Sequence, residues 1–201
     1  MSNAPLPSIA ELVDLQSSLT AVWHQSEPVA TGEGLLRLLS ENHLRNFSLW
    51  HEEDIARRDD LPAERIKQAK RAIDRFNQQR NNFIEDMDKL LIPALMPFNP
   101  DSPQHSETPG MILDRLSILA LKEYHMQEET LREDASEEHR EKCSAKLRII
   151  VEQRNDLARA LETLIAELRA GRRRIKVYYQ FKMYNDPSLN PELYRAAKAG
   201  A

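Results

Sequence analysis

Apolar residues along this chain recur at spacings of three and four, the period of a helix that packs on one face. No stretch shows a strand's alternation above noise. Ser8 is placed to cap a first helix, with Ile9, Leu12, Leu15, Leu19, Val22 and Trp23 on its apolar side, ending near 26–28. A glycine-containing turn at 31–34 leads into a second helix over 35–58, apolar at Leu35, Leu39, Phe47 and Trp50 and polar in its last turns. Asp59, Asp60, Leu61 and Pro62 read as a stop and a capped restart. The third helix, over 62–91, repeats Ile66, Ile73 and Met87 at heptad spacing, and Arg80 occupies the slot where that row predicts an apolar residue.

Five prolines between 92 and 109 predict a long surface connection or lid that is not helical. Thr108 and Pro109 then suit the cap and first turn of a fourth helix over 109–131, mostly apolar yet carrying Asp114, Arg115, Lys122 and His125. An acidic link over 123–141 precedes a fifth helix, capped by Ser136 and running to 170, with Gly171 suited to its C-terminal turn. Its stripe of Cys143, Leu147, Ile150, Leu157, Leu161, Leu164 and Leu168 is again interrupted by one arginine, Arg154. A basic tail over 169–182, interleaved with Tyr178, Tyr179 and Phe181, reads as a short helix through 185. The expected fold is one all-α domain over 1–201, a bundle of about five long helices plus a short C-terminal helix. The segments 1–7 and 187–201 are expected to be weakly ordered.

At 201 residues, 41% of them hydrophobic, the chain is long enough to bury a core without disulfides. Its single cysteine, Cys143, excludes an intrachain disulfide and a cysteine-based zinc site. A net charge of −4 argues against a general nucleic-acid binder. The apolar run over 90–98 is too short to span a bilayer, and the N-terminus lacks the pattern of a signal peptide. The expected location is the cytoplasm.

No phosphate-binding glycine loop, hydrolase elbow or Glu-x-x-His pair is present. Several weaker features remain. His51 and Asp54 share one helix face, as do Glu85 and Asp88, so Asp54, Glu85 and Asp88 are candidate divalent-metal ligands, although ordinary solvated helix surface explains the same spacing. Arg80 and Arg154 must be paired wherever they are buried. The partner is an acid such as Asp74 or Asp114, or else an anionic ligand, which a guanidinium grips bidentately. Asn77 and Asn81 flank Arg80 within one turn. His51, Asp54, Asp114 and His125 are the candidate catalytic groups, and His125 could act as a general base near neutral pH. Lys70, Asn77, Arg80, Asn81, Arg115, Arg154 and Lys182 are the candidate ligand-binding groups.

Four strings, LWHEEDIAR at 49–57, KRAIDRFNQQRN at 70–81, ETPGMILDRLSIL at 107–119 and QFKMYND at 180–186, together resemble the bacterial proteins catalogued as domain of unknown function 4254. The resemblance extends over nearly the whole chain. It implies a bacterial, all-helical protein often encoded near cell-envelope glycosyltransferases, and it carries no established catalytic residues. Two functions fit these residues. One is a polar pocket between helices for a phosphorylated or sugar-nucleotide small molecule, with a divalent metal as its candidate cofactor. The other is a non-catalytic helical interaction protein, a homodimer or the partner of a glycosyltransferase, suggested by the long stripes and the basic aromatic tail.

Overall fold

The computed structural model describes residues 6–95, 97, 99–178, 186–192 and 194–195. Among these, five helices make up the fold: α1 (Ile9–Trp23), α2 (Gly34–Ala56), α3 (Ala63–Leu95), α4 (Pro109–Leu131) and α5 (Glu137–Arg169). Two-residue strands, β1 (Gln104–His105) and β2 (Arg174–Ile175), pair in parallel. The fold is the expected all-α bundle.

Local chemistry sets the helix ends. The Ser8 side chain accepts from the Glu11 backbone N–H while the Glu11 carboxylate accepts from the Ser8 N–H, a reciprocal capping box. Thr108 and Ser136 cap α4 and α5 through their hydroxyls. After α5, Gly171 adopts φ +65°, and the N–H groups of Arg172 and Gly171 return to the carbonyls of Glu167 and Leu168. That left-handed turn satisfies carbonyls the helix end would otherwise strand.

Two differences from the sequence expectation have physical causes. Helix α3 does not stop at 91 but continues through Pro93 to Leu95. Leu91 and Leu95 are both buried, and that burial offsets the backbone cost of Pro93. Downstream, 174–175 is strand and not helix, because Arg174 pairs with the Pro-rich connection. Its N–H donates to the Pro103 carbonyl and its Nε to that of Ser102. The basic tail over 179–185, including Lys182, lies outside the described residues. The Pro-rich connection therefore closes the end of the bundle at the start of α4.

Helix α4 packs against all four other helices. Its Leu113 and Leu116 meet Leu12, Leu39, Met87, Leu161 and Leu168 in the principal core. Close approach of α4 to α3 depends on Gly110. A Cβ there would lie 2.6 Å from the Ile84 carbonyl oxygen and 2.8 Å from the Asp88 carboxylate. The Gly110 N–H itself donates to Asp88 Oδ1 at 2.8 Å, placing a carboxylate at the positive end of α4.

Beside this apolar core runs a buried polar row. Gln16, Thr20, Asn42, His43 and Ser117 are all within 1% of full burial. Their hydrogen bonds assign one proton order: Thr20 donates to the Gln16 carbonyl, so His43 Nε2–H donates to Thr20 (2.9 Å) and Ser117 donates to His43 Nδ1 (2.7 Å). His43 is thus a neutral imidazole satisfied at both nitrogens, and burial pushes its pKa down to about 3.

Two outcomes are expected. Gly110→Ala, which would stabilise an ordinary helix, lowers the urea-unfolding free energy here by about 1–3 kcal/mol because the added methyl meets backbone. His43 makes stability depend on pH. Between its unfolded pKa of about 6.5 and its folded value of about 3, only the unfolded chain binds the proton, so acid favours unfolding. Relative to His43→Gln, the wild type should lose up to about 1.4 kcal/mol per pH unit between pH 6 and pH 4, measured by chemical denaturation.

Candidate functional site

Arg80 and Asp114, each a charge on a core-facing helix position, meet. The guanidinium grips the carboxylate at two points, Nε to Oδ1 at 3.1 Å and Nη2 to Oδ2 at 2.7 Å. Asp114 is only 3% exposed, and Asn42 and Asn46 from α2 each donate to its Oδ1 at 3.0 Å. Asn46 also donates to Ser117, which joins this pair to the His43 row. Four donors from two helices thus compensate one buried charge.

Above this pair opens a cleft of about 390 Å³ between α2, α3 and α4. Its walls include Asn46, Trp50, Asp54, Arg57, Asn77 and Arg80. A second cleft of about 490 Å³ adjoins it, sharing Trp50 and Asp54 and adding Lys122, His125 and Glu128. No residue of α2 beyond Leu49 or of α4 beyond Leu121 is fully buried, so the last turns of both helices border this region.

His125 lines the second cleft, and the rings of His51 and of His24, the C-cap of α1, pack against it. His125 stacks on Trp50 at 4.8 Å and 7°, and His24 on Tyr124 at 4.2 Å and 18°. Burial first, then the neighbouring rings of His24 and His125, lower the His51 pKa, partly opposed by the charge of Asp54. One ring nitrogen from each of the three histidines lies within 4.8 Å of the other two. A second group with metal-ligand atoms is Glu129, His139 and Cys143, at the far end of the α4–α5 hairpin.

The remaining expected residues are dispersed. Arg154 spans α5, α4 and α1, donating to Glu123 at 3.0 Å and to the Val13 carbonyl at 2.7 Å, away from Asp114. Arg115 points to the α4–α5 groove, where it pairs with Glu107 at 2.7 Å. Lys70 is exposed and pairs with Asp74. Asn81 is half-buried and outside the clefts. Asp88 is engaged by Gly110, and burial raises its pKa against the hydrogen bonds from Thr108 and Gly110. Asn42 bonds the Arg80 carbonyl while Glu52 bonds Arg65, so α2 and α3 are antiparallel. In that register Glu85 and Asp88 lie at the opposite end of the hairpin from Asp54, and the three cannot share one ion.

Sequence reasoning passed over His24, Asn42, His43, Asn46 and Arg57. A signal existed for two of them: Asn42 and Asn46 fall on the buried face of α2, in line with Leu35, Leu39 and Leu49. His24 had none, since its partners are 27 and 101 positions away.

The Arg80–Asp114 pair is open to a double-mutant cycle. Arg80→Leu alone strands the carboxylate and should cost about 3 kcal/mol. Adding Asp114→Leu should recover a large part of that loss, and additive losses would show the two groups to be uncoupled.

No curated protein and no solved structure matches the chain. A family model matches residues 36–177, from the first turn of α2 to just past β2, and so leaves out the string at 180–186. The chain belongs to the family described as Protein of unknown function (DUF4254).

Proposed function

We propose that this protein binds a phosphorylated or sugar-nucleotide small molecule in the cleft between α2, α3 and α4. The observation that carries the reading is the convergence of Arg57, Asn77 and Arg80 around one concave surface with the indole of Trp50. Arg80 is held rigidly by Asp114 through Nε and Nη2, leaving Nη1 uncommitted. Arg57 is exposed and held only by neighbours on its own helix, with Glu53 at 3.0 Å, a contact an incoming phosphate can displace. Guanidinium groups match phosphate oxygens, an asparagine amide adds a donor, and an indole face suits a sugar or base ring. Lys122 and Asp54 extend the same surface into the adjoining cleft. Lys70, Asn81, Arg115 and Arg154 take no part in the proposed site. The envelope-glycan context implied by the family resemblance makes nucleotide sugars the first ligands to try.

Calorimetry against nucleotide sugars, nucleoside diphosphates, sugar phosphates and inorganic phosphate tests this. Arg57→Gln and Asn77→Ala are expected to weaken the best ligand about tenfold each, equivalent to about 1.4 kcal/mol, without lowering the melting temperature. The reading fails if none of these compounds binds at millimolar concentration. It fails equally if binding is indifferent to both substitutions.

A further inference from the structure

The three packed imidazoles come from three helices: His24 ends α1, His51 lies on α2 and His125 on α4. Hydrogen bonds identify the free nitrogens. His24 Nδ1 lies 2.7 Å from the Thr20 carbonyl oxygen, which only accepts, so Nδ1 carries the proton and Nε2 the lone pair. His125 Nδ1 lies 2.9 Å from the Glu128 carboxylate, so Nδ1 carries a proton there too, and Nε2 bears the lone pair of the neutral ring. The Nε2 atoms of His24 and His125 are both buried, and neither has a hydrogen-bond partner. Two unpartnered acceptors beside a third imidazole are costly as packing and well suited as ligands.

We infer that His24, His51 and His125 together bind one transition-metal ion of the zinc class, beside the cleft that His125 lines with Trp50, Asp54 and Lys122. Zinc–nitrogen bonds of about 2.0–2.1 Å set tetrahedral ligands about 3.4 Å apart, so nitrogens now within 4.8 Å need to close by less than an ångström each. Three protein ligands and one open position are the arrangement in which zinc polarises a bound ligand or water. The backbone carbonyl of Thr20 and the carboxylate of Glu128 supply the outer hydrogen bonds that fix ring orientation in such sites. The other candidate set is less open: His139 Nε2 already contacts both Glu129 (2.9 Å) and Cys143 (3.4 Å). The inference stands on the imidazole geometry alone and does not require the anionic ligand proposed above.

The full chain, without a polyhistidine tag and stripped with a chelator, is titrated with Zn²⁺ by calorimetry and with Co²⁺ by visible spectroscopy. The expected result is one equivalent of Zn²⁺, a tetrahedral Co²⁺ spectrum with no thiolate charge-transfer band, and a zinc-dependent rise in melting temperature. His51→Ala and His125→Ala should each weaken zinc by at least about 100-fold, and Glu128→Gln by about tenfold. His105→Ala and Cys143→Ser should change nothing. Circular dichroism establishes that each variant folds, and His51→Gln replaces His51→Ala if the latter does not. Failure of the wild type to bind zinc, binding that survives both histidine substitutions, or binding lost with Cys143→Ser would each overturn the assignment.

Discussion

One buried carboxylate sets the terms for the rest of this molecule. Asp114 lies on the central helix, 3% exposed, and a charge in that position is tolerable only if donors surround it. Arg80, Asn42 and Asn46 supply them from α3 and α2. That requirement fixes how α2, α3 and α4 are rotated against each other, which apolar contact alone leaves loose. The same bonds hold a guanidinium as part of the wall of a cleft. The buried ion pair is at once a rule for helix register and the rigid base of a polar surface.

The helices were legible because their ends are written in local chemistry. Ser8, Thr108, Ser136 and Gly171 cap or terminate them, and the leucine stripes show which face turns inward. The interrupting arginines were legible too, since a long cation in an apolar row stands out. Short polar residues do not. Gln16 and Thr20 read in one dimension as surface residues, Asn42 and Asn46 betray themselves only by falling in line with the leucines of α2, and the three-dimensional hydrogen bonds show why burying all four is tolerable. Two-residue strands and a proline inside the last turn of a helix are set by tertiary contacts, with no period for the sequence to display.

Asp114 and Arg115 show how little adjacency in sequence means on a helix. The first turns toward α2 and α3 and the second toward the groove against α5, where Glu107 meets it. Trp50 does the opposite and links features the sequence keeps apart. Its ring stacks on His125 and lines both clefts, so a displacement of His125 is felt directly where a ligand ring would lie. Cleft and histidine cluster are mechanically one region, even though different residues argue for each.

The histidines give the sharpest internal contrast. His43, completely buried, has a hydroxyl at each nitrogen in a chain of consistent donor order, so this fold can satisfy a buried imidazole in full. His24 and His125 are treated differently: each has one nitrogen bonded and the other buried with no partner. Packing does not demand that difference, because a phenyl ring would fill either position without an unsatisfied acceptor. An imidazole there adds a donor at Nδ1, taken by Thr20 or Glu128, and a nitrogen at Nε2 for which packing has no use. Imidazoles from three helices with one nitrogen of each within 4.8 Å of the other two are what a coordinating site needs, and unpartnered buried acceptors are what a merely structural cluster has reason to avoid.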